Sequence, residues 1–200
     1  MLQETLKNYS LILASQSPRR KALLEGLDID FTVFVREGID ETVPAGLGKT
    51  EIPVFLARHK SDAYSDLLLN NNILITADTI VWHNKQELGK PRDLKHATDM
   101  LSQLSGSMHE VVTGVCLRSQ NKIIEFHSLS KVWFRHLDSR EIDYYLNKYK
   151  PYDKAGSYGI QEWIGYSAIE KIEGSFYNVM GLPVQKLYTE LIKFLHDETN

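Results

Sequence analysis

The stretch Ile73-Leu74-Ile75-Thr76-Ala77-Asp78-Thr79-Ile80-Val81-Trp82 limits the fold more than any other part of the chain. It is a strongly apolar run that reads as a strand, and one carboxylate, Asp78, interrupts it. A charge inside an apolar strand is expensive unless it is paired, hydrogen-bonded or metal-bound. Strand and helix patterns alternate on either side. Residues 10–14 read as a short buried strand, and Ser17-Pro18 opens a helix over 19–24 closed by Gly26. Residues 31–35 alternate like a strand, and 38–50, with glycine, proline and acidic residues, read as a loop. Pro53 starts an amphipathic helix to about 69, with Phe55, Leu56, Ala63 and Leu67 on its inner face, and Asn70-Asn71-Asn72 stops it.

Further along, His83-Asn84-Lys85-Gln86 reads as a hairpin turn and 94–104 as a helix ended by Ser105-Gly106. Residues 111–117 and 123–134 read as long strands joined at 119–122. Asp138 or Ser139 caps a helix reaching Tyr149, 151–161 is an irregular glycine-rich loop, 168–172 a strand and 183–195 a terminal helix. Helices alternate with strands, yet hairpins also occur, so the expected class is α/β with a mixed sheet. No repeat and no Gly/Ser- or Pro-rich linker divides the chain, which predicts one domain over 1–200.

Composition narrows the function. The chain has 200 residues, 42% hydrophobic and 24% charged, enough for a sizeable core without disulfides. Its one cysteine, Cys116, lies in an apolar run and reads as a small buried hydrophobe. The formal net charge of −3 offers no global attraction to nucleic acid or to an anionic membrane. Neither a signal-peptide pattern nor an apolar stretch of the ~20 residues needed to span a bilayer is found, so a cytoplasmic location is expected.

Ser15-Gln16-Ser17-Pro18-Arg19-Arg20 is the most informative short motif. Two arginines in the first turn of a helix stand beside the positive end of its dipole, which is unfavourable unless an anion is held there. Free backbone amides, serine hydroxyls and guanidinium forks would bind a phosphate. An ordinary capped helix with solvated arginines has the same spacing. Asp78 suits a general base or a Mg²⁺ ligand, and equally a structural carboxylate accepting backbone amides. Lys90 sits in the bend Gly89-Lys90-Pro91, Glu41 in the acidic loop, and Lys60 on the next helix. Together Arg19, Arg20, Lys60 and Lys90 against Asp78 and Glu41 form the inventory of a Mg²⁺-triphosphate site. In the glycine-rich loop, Gln161 has an amide able to read a base edge by paired hydrogen bonds.

Other leads are absent. The seven histidines show no HExxH or paired metal spacing, and there is no GxxxxGK[ST], GxGxxG or GxSxG. Trp82, Trp133 and Tyr144-Tyr145 read as core rather than as a stacking platform.

Leu13-Ala14-Ser15, Ser17-Pro18-Arg19-Arg20 and Leu23-Leu24 resemble the opening signature of the Maf family. Also similar are Leu56-Ala57 with Lys60, Ala77-Asp78-Thr79-Ile80-Val81, Gly89-Lys90-Pro91, Leu104-Ser105-Gly106, the run 153–161, Glu173-Gly174-Ser175-Phe176-Tyr177 and Gly181-Leu182-Pro183. The blocks keep family order from about residue 10 to 195. The resemblance implies an elongated central sheet flanked by helices, with two lobes around a cleft, related to inosine triphosphate pyrophosphatases. It implies hydrolysis of a nucleoside triphosphate between the α and β phosphates with Mg²⁺ or Mn²⁺.

On the same basis Asp78 would be the proton acceptor and, with Glu41, a metal ligand. Lys60 and Lys90 would handle phosphate, and Ser15, Ser17 and Arg20 would line the phosphate pocket. Arg19, Thr79 and Gln161 fall at positions tied to substrate choice, and the run 155–161 resembles the dTTP/UTP subgroup. The sequence departs from the pattern at Gln16, where a small residue is common, and at Glu162, where glycine is often found. A 7-methyl-GTP-type pyrophosphatase and a non-catalytic nucleotide-binding protein in septum-formation control are the alternatives. A homodimer is a further expectation of the resemblance; nucleic acid and membrane partners are not.

Overall fold

A computed structural model of the chain describes residues 2–69 and 71–198. The described elements run α1 (Leu2–Thr5), β1 (Ser10–Leu13), α2 (Pro18–Glu25), β2 (Thr32–Val33), α3 (Glu51–Asp62), β3 (Asn72–His83), β4 (Gln86–Leu88) and α4 (Leu94–Leu104). They continue with β5 (Met108–Arg118), β6 (Ile123–Phe134), α5 (Ser139–Tyr149), α6 (Trp163–Ala168), β7 (Ile169–Glu173), α7 (Phe176–Met180) and α8 (Val184–Glu198). Seven strands form one sheet in the order β2-β1-β3-β5-β6-β7, with β4 paired to β3. β1 is parallel to β2 and β3, whereas β3–β4 and β6–β7 are antiparallel. The sheet is mixed and flanked by helices, as the alternation of patterns predicts.

The apolar run becomes β3. Leu11–Leu13 pair with Ile73–Ile75, and Ile73, Leu74 and Ile75 are fully buried. Its hairpin to β4 needs two residues with positive φ, supplied by Asn84 (φ 48°) and Lys85 (φ 65°). Cys116 is a buried strand residue, and burial pushes its thiol up to about 11, so it is inert at neutral pH.

The chain divides into two compact units. The first contains Met1–Asp78, Thr113–Ser128 and Gly181–Asn200, and within it Ile12, Ala14, Tyr64, Leu68 and Leu74 form one buried cluster. In this unit α3 lies directly on β5: a Cβ at Gly114 would stand 2.2 Å from the Pro53 carbonyl carbon and 2.3 Å from the Val54 nitrogen. The second contains Thr79–Val112 and Leu129–Met180, with a larger core that includes Val81, Leu101, Phe134, Tyr145 and Tyr158. There His109, 1% exposed, meets the Tyr158 hydroxyl at 2.7 Å and packs edge-on against Phe134. Burial presses its imidazole down to about 3, so it stays neutral in the folded chain at physiological pH.

Several sequence expectations need correction. The segment 31–35 contributes only Thr32–Val33 to the sheet, and Val33, Phe34 and Val35 are exposed. The helix expected to reach 69 ends at Asp62, and a short 3-10 turn, Ser65–Leu67, follows. Just past the C-cap, Ala63, the Tyr64 ring is buried and its hydroxyl accepts the Arg36 N–H at 2.8 Å. The buried face of α3 is accordingly Ile52, Pro53, Leu56, Ala57 and Ser61, while Phe55 stacks on His59 instead. Asn70, expected to stop that helix, lies outside the described residues. Trp82 and Trp133 are only partly buried and Tyr144 is exposed, whereas Tyr145 is fully buried.

Candidate functional site

β3 and α3 meet in a fixed register that explains how a carboxylate is tolerated in an apolar strand. Side chains two apart on a strand share a face, so Thr76 and Asp78 point the same way. The Thr76 hydroxyl donates to the Ala57 carbonyl of α3 at 2.7 Å, and one helical turn further on the Lys60 ammonium meets the Asp78 carboxylate at 2.5 Å. The same ammonium lies 2.8 Å from the Glu41 carboxylate. The side chains of Lys60 and Asp78 are 14% and 13% exposed, Glu41 47%. Asp78 is thus neutralised by one well-buried cation, and that cation is shared with a second carboxylate from the acidic loop.

α2 brings the arginine motif to the same unit. Ser17 caps the helix, its hydroxyl accepting the Arg20 N–H at 3.4 Å, and Pro18 fills the first position, where no amide donor is needed. The Ser15 hydroxyl accepts from the Ser17 N–H at 3.2 Å and from the Arg20 guanidinium at 3.5 Å. Arg20 Nε donates to the Gly181 carbonyl at 2.8 Å, which fixes the direction of the fork. Burial lowers the Arg20 pKa from its ordinary value; the Asp78 and Glu41 carboxylates oppose that shift, and Arg19 adds to it. Ser15, Ser17, Arg20, Glu41, Lys60 and Asp78 therefore gather in one unit, with Arg20, Glu41 and Asp78 sharing one electrostatic environment.

Lys90, Thr79 and Gln161 belong to the second unit. Thr79 follows Asp78 on β3 and points to the opposite face. Lys90 is exposed in its bend, and the bend is pinned to the glycine-rich loop because the Gly156 N–H donates to the Gly89 carbonyl at 3.1 Å. Gly156 has φ 66°, and a Cβ there would stand 2.9 Å from a Val81 methyl. The Oε1 of Gln161 is buried without a protein hydrogen-bond partner. Such an orphaned acceptor is costly in a finished core and informative beside a ligand site.

The residues present fit a divalent cation that arrives with phosphate. Among the described residues no group of three or more His, Cys, Asp or Glu side chains is arranged to hold a metal unaided. Mg²⁺ commonly takes one or two carboxylates and completes its shell with phosphate oxygens and water. Glu41 and Asp78, both within bonding distance of a single cationic nitrogen, are two neighbouring carboxylates that would suit such an ion.

Sequence reasoning missed the Gly181 carbonyl that aims Arg20, and the seat of α3 on Gly114. It singled out Glu162 as a departure from the family pattern but missed the two side chains that hold it, Tyr145 and Lys154. A lysine and a glutamate bracketing the glycine run were visible, but nothing local pairs residues eight apart.

The chain belongs to the Maf family: a family profile described as Maf-like protein matches residues 10–194. Its relatives are more specific. It is 55% identical to a dTTP/UTP pyrophosphatase of Parabacteroides distasonis, over 96% of this chain and 99% of the relative. A dTTP/UTP pyrophosphatase of Porphyromonas gingivalis is 54% identical over 96% of this chain and 97% of its own length. One of Bacteroides thetaiotaomicron is 51% identical over 94% and 97%. Among solved structures, a HAM1 protein from Coxiella burnetii is 13% identical with a TM-score of 0.42, covering 63% of this chain and 73% of that one. No helix among the described residues is long and apolar enough to cross a membrane.

Proposed function

We propose that the chain hydrolyses dTTP and UTP to the nucleoside monophosphate and pyrophosphate. Three full-length relatives above 50% identity bear that activity as their name. The observation that carries the mechanism is the Asp78–Lys60–Glu41 array at the meeting of β3, α3 and the acidic loop. Asp78 orients a water and takes its proton as the water oxygen bonds to the α-phosphorus. The bond from the α-phosphorus to the bridging oxygen breaks, and pyrophosphate departs with the electron pair. Positioning and charge neutralisation supply most of the acceleration in such a transfer.

Arg20 and Lys60 neutralise the departing pyrophosphate, and Lys90 is a phosphate-handling lysine. The Ser15 and Ser17 hydroxyls and the amides opening α2 hold phosphate oxygens. Gln161 reads the base edge, and Arg19 and Thr79 contribute to substrate choice. Glu41 and Asp78 would hold the divalent cation, Mg²⁺ or Mn²⁺, which would screen the phosphate charge. Chelation with EDTA is expected to lower UTP turnover by about a hundredfold or more, a barrier change of about 3 kcal/mol, and added Mg²⁺ or Mn²⁺ to restore it. Undiminished turnover by protein freed of metal would remove the cation from the mechanism.

A further inference from the structure

The loop that carries Gln161 is held by side chains with no part in the phosphate chemistry above. Lys154 is 9% exposed, and its ammonium lies 3.1 Å from the Glu162 carboxylate and 2.8 Å from Asp153. The Tyr145 hydroxyl donates to Glu162, and its oxygen accepts the Gly159 N–H at 2.9 Å. Burial, reinforced by the bond to Glu162, pushes the Tyr145 phenol upward, so it remains a donor. On the far side α6 closes on the loop: a Cβ at Gly165 would stand 1.6 Å from the Ile160 carbonyl oxygen.

Gly159 marks where these groups converge. A Cβ there would stand 2.9 Å from the Glu162 carboxyl carbon, 3.0 Å from Lys154 Cε and 3.0 Å from Gln161 Nε2. Gln161 Nε2 and the Glu162 carboxyl carbon thus both lie within 3.0 Å of the point a Gly159 Cβ would occupy, while Gln161 Oε1 is left buried without a protein partner. A primary amide has a donor end and an acceptor end, and a half-turn exchanges them. Uracil and thymine place an acceptor O4 beside an N3–H donor; cytosine places an amino donor beside an acceptor N3. Which end of the amide meets the base thus separates the two edges.

We propose that Glu162, held by Tyr145 and Lys154, is a specificity-setting positioning residue that fixes the rotamer of the Gln161 amide, so that the uracil or thymine edge is accepted and cytosine rejected. The proposal rests on the reading of Gln161 as the base-reading residue. A carboxylate on the same side of Gly159 as Nε2 favours, through its charge, the rotamer that turns the donor end toward it; its neutral amide analogue does not discriminate between the two.

The test is hydrolysis of UTP and CTP by wild type, Glu162→Gln and Tyr145→Phe, with each pyrimidine's kcat and KM determined. Glu162→Gln is expected to lower the UTP:CTP ratio of kcat/KM by about tenfold, or about 1.4 kcal/mol of discrimination. The loss for UTP enters through KM more than kcat. In a Gln161→Ala background the same replacement is expected to leave the ratio where Gln161→Ala alone puts it, because the effect runs through that amide. Tyr145→Phe keeps the buried ring, is expected to shift the ratio in the same direction, and serves if Glu162→Gln does not fold.

An unmoved ratio, equal losses for both nucleotides, or a shift that persists without Gln161 would overturn the proposal while wild-type pyrimidine turnover stands. A folded wild type that turns over neither UTP nor dTTP instead removes the functional reading, and this proposal falls with it.

Discussion

Replacing Asp78 with asparagine is expected to leave the chain folded and to slow UTP turnover by about 10²- to 10⁴-fold, the range lost when a positioned general base is removed. Asparagine has nearly the same shape and can still accept from Lys60, and Lys60 keeps its second carboxylate, Glu41, at 2.8 Å. The strand keeps its place through the Thr76–Ala57 bond and its pairing with β1. What is lost is the proposed proton acceptor and one of two candidate cation ligands. The loss belongs in kcat, since the proposed role of Asp78 is on the attacking water and not on the base. Circular dichroism and a thermal melt establish folding, and saturating-substrate turnover reads the effect. Near-wild-type turnover would take Asp78 out of the mechanism.

The second large effect is structural. Gly114→Val is expected to destabilise the protein by about 3 kcal/mol, the upper part of the overpacking range, and to lower Tm by about 6 to 12 °C. The atoms a side chain would meet at Gly114 are the Pro53 carbonyl carbon and oxygen and the Val54 nitrogen, all backbone. No rotamer change relieves that clash, so α3 has to lift from β5. Because α3 carries Lys60, activity is expected to fall as well, even at temperatures where the variant is folded. A melt unchanged from wild type would show that the close approach of α3 to Gly114 is not a constraint.

Much of the fold was legible because its signals are local. The helix Leu94–Leu104 was read to the residue: Asp93 caps it by accepting the His96 N–H, and Ser105-Gly106 ends it, Gly106 having φ 66°. The strand Ile123–Phe134 and the two-residue turn at Asn84-Lys85 were equally plain. The unread elements depend on distant partners. Helix α6 has six residues, and its glycine seats it on the Ile160 carbonyl. Helix α7 has five residues and is tied down by Asn178, whose buried amide donates to the Val111 carbonyl and the Ser130 hydroxyl. Helices this short are not stable by propensity, so their sequences carry little periodic signal.

The candidate site divides in the same way. Asp78 announced itself as a charge in an apolar strand, and the arginines as charges at the wrong end of a helix dipole. Their partners were less visible. That Lys60 serves Asp78 follows only from the register of α3 on β3, fixed by Gly114 and by the Thr76–Ala57 bond. That Arg20 is steered by Gly181, 161 residues away in sequence, has no local signature at all.

The measurement that bears most directly on the central claim is phosphate release from dTTP, UTP, CTP, GTP and 7-methyl-GTP with Mg²⁺ or Mn²⁺, run with and without added inorganic pyrophosphatase. Release from dTTP and UTP only when the added enzyme is present is the expected result, and it identifies pyrophosphate as the product and the uracil or thymine base as the preferred one. Release without the added enzyme, preference for 7-methyl-GTP, or no turnover of any nucleotide by folded protein would contradict it.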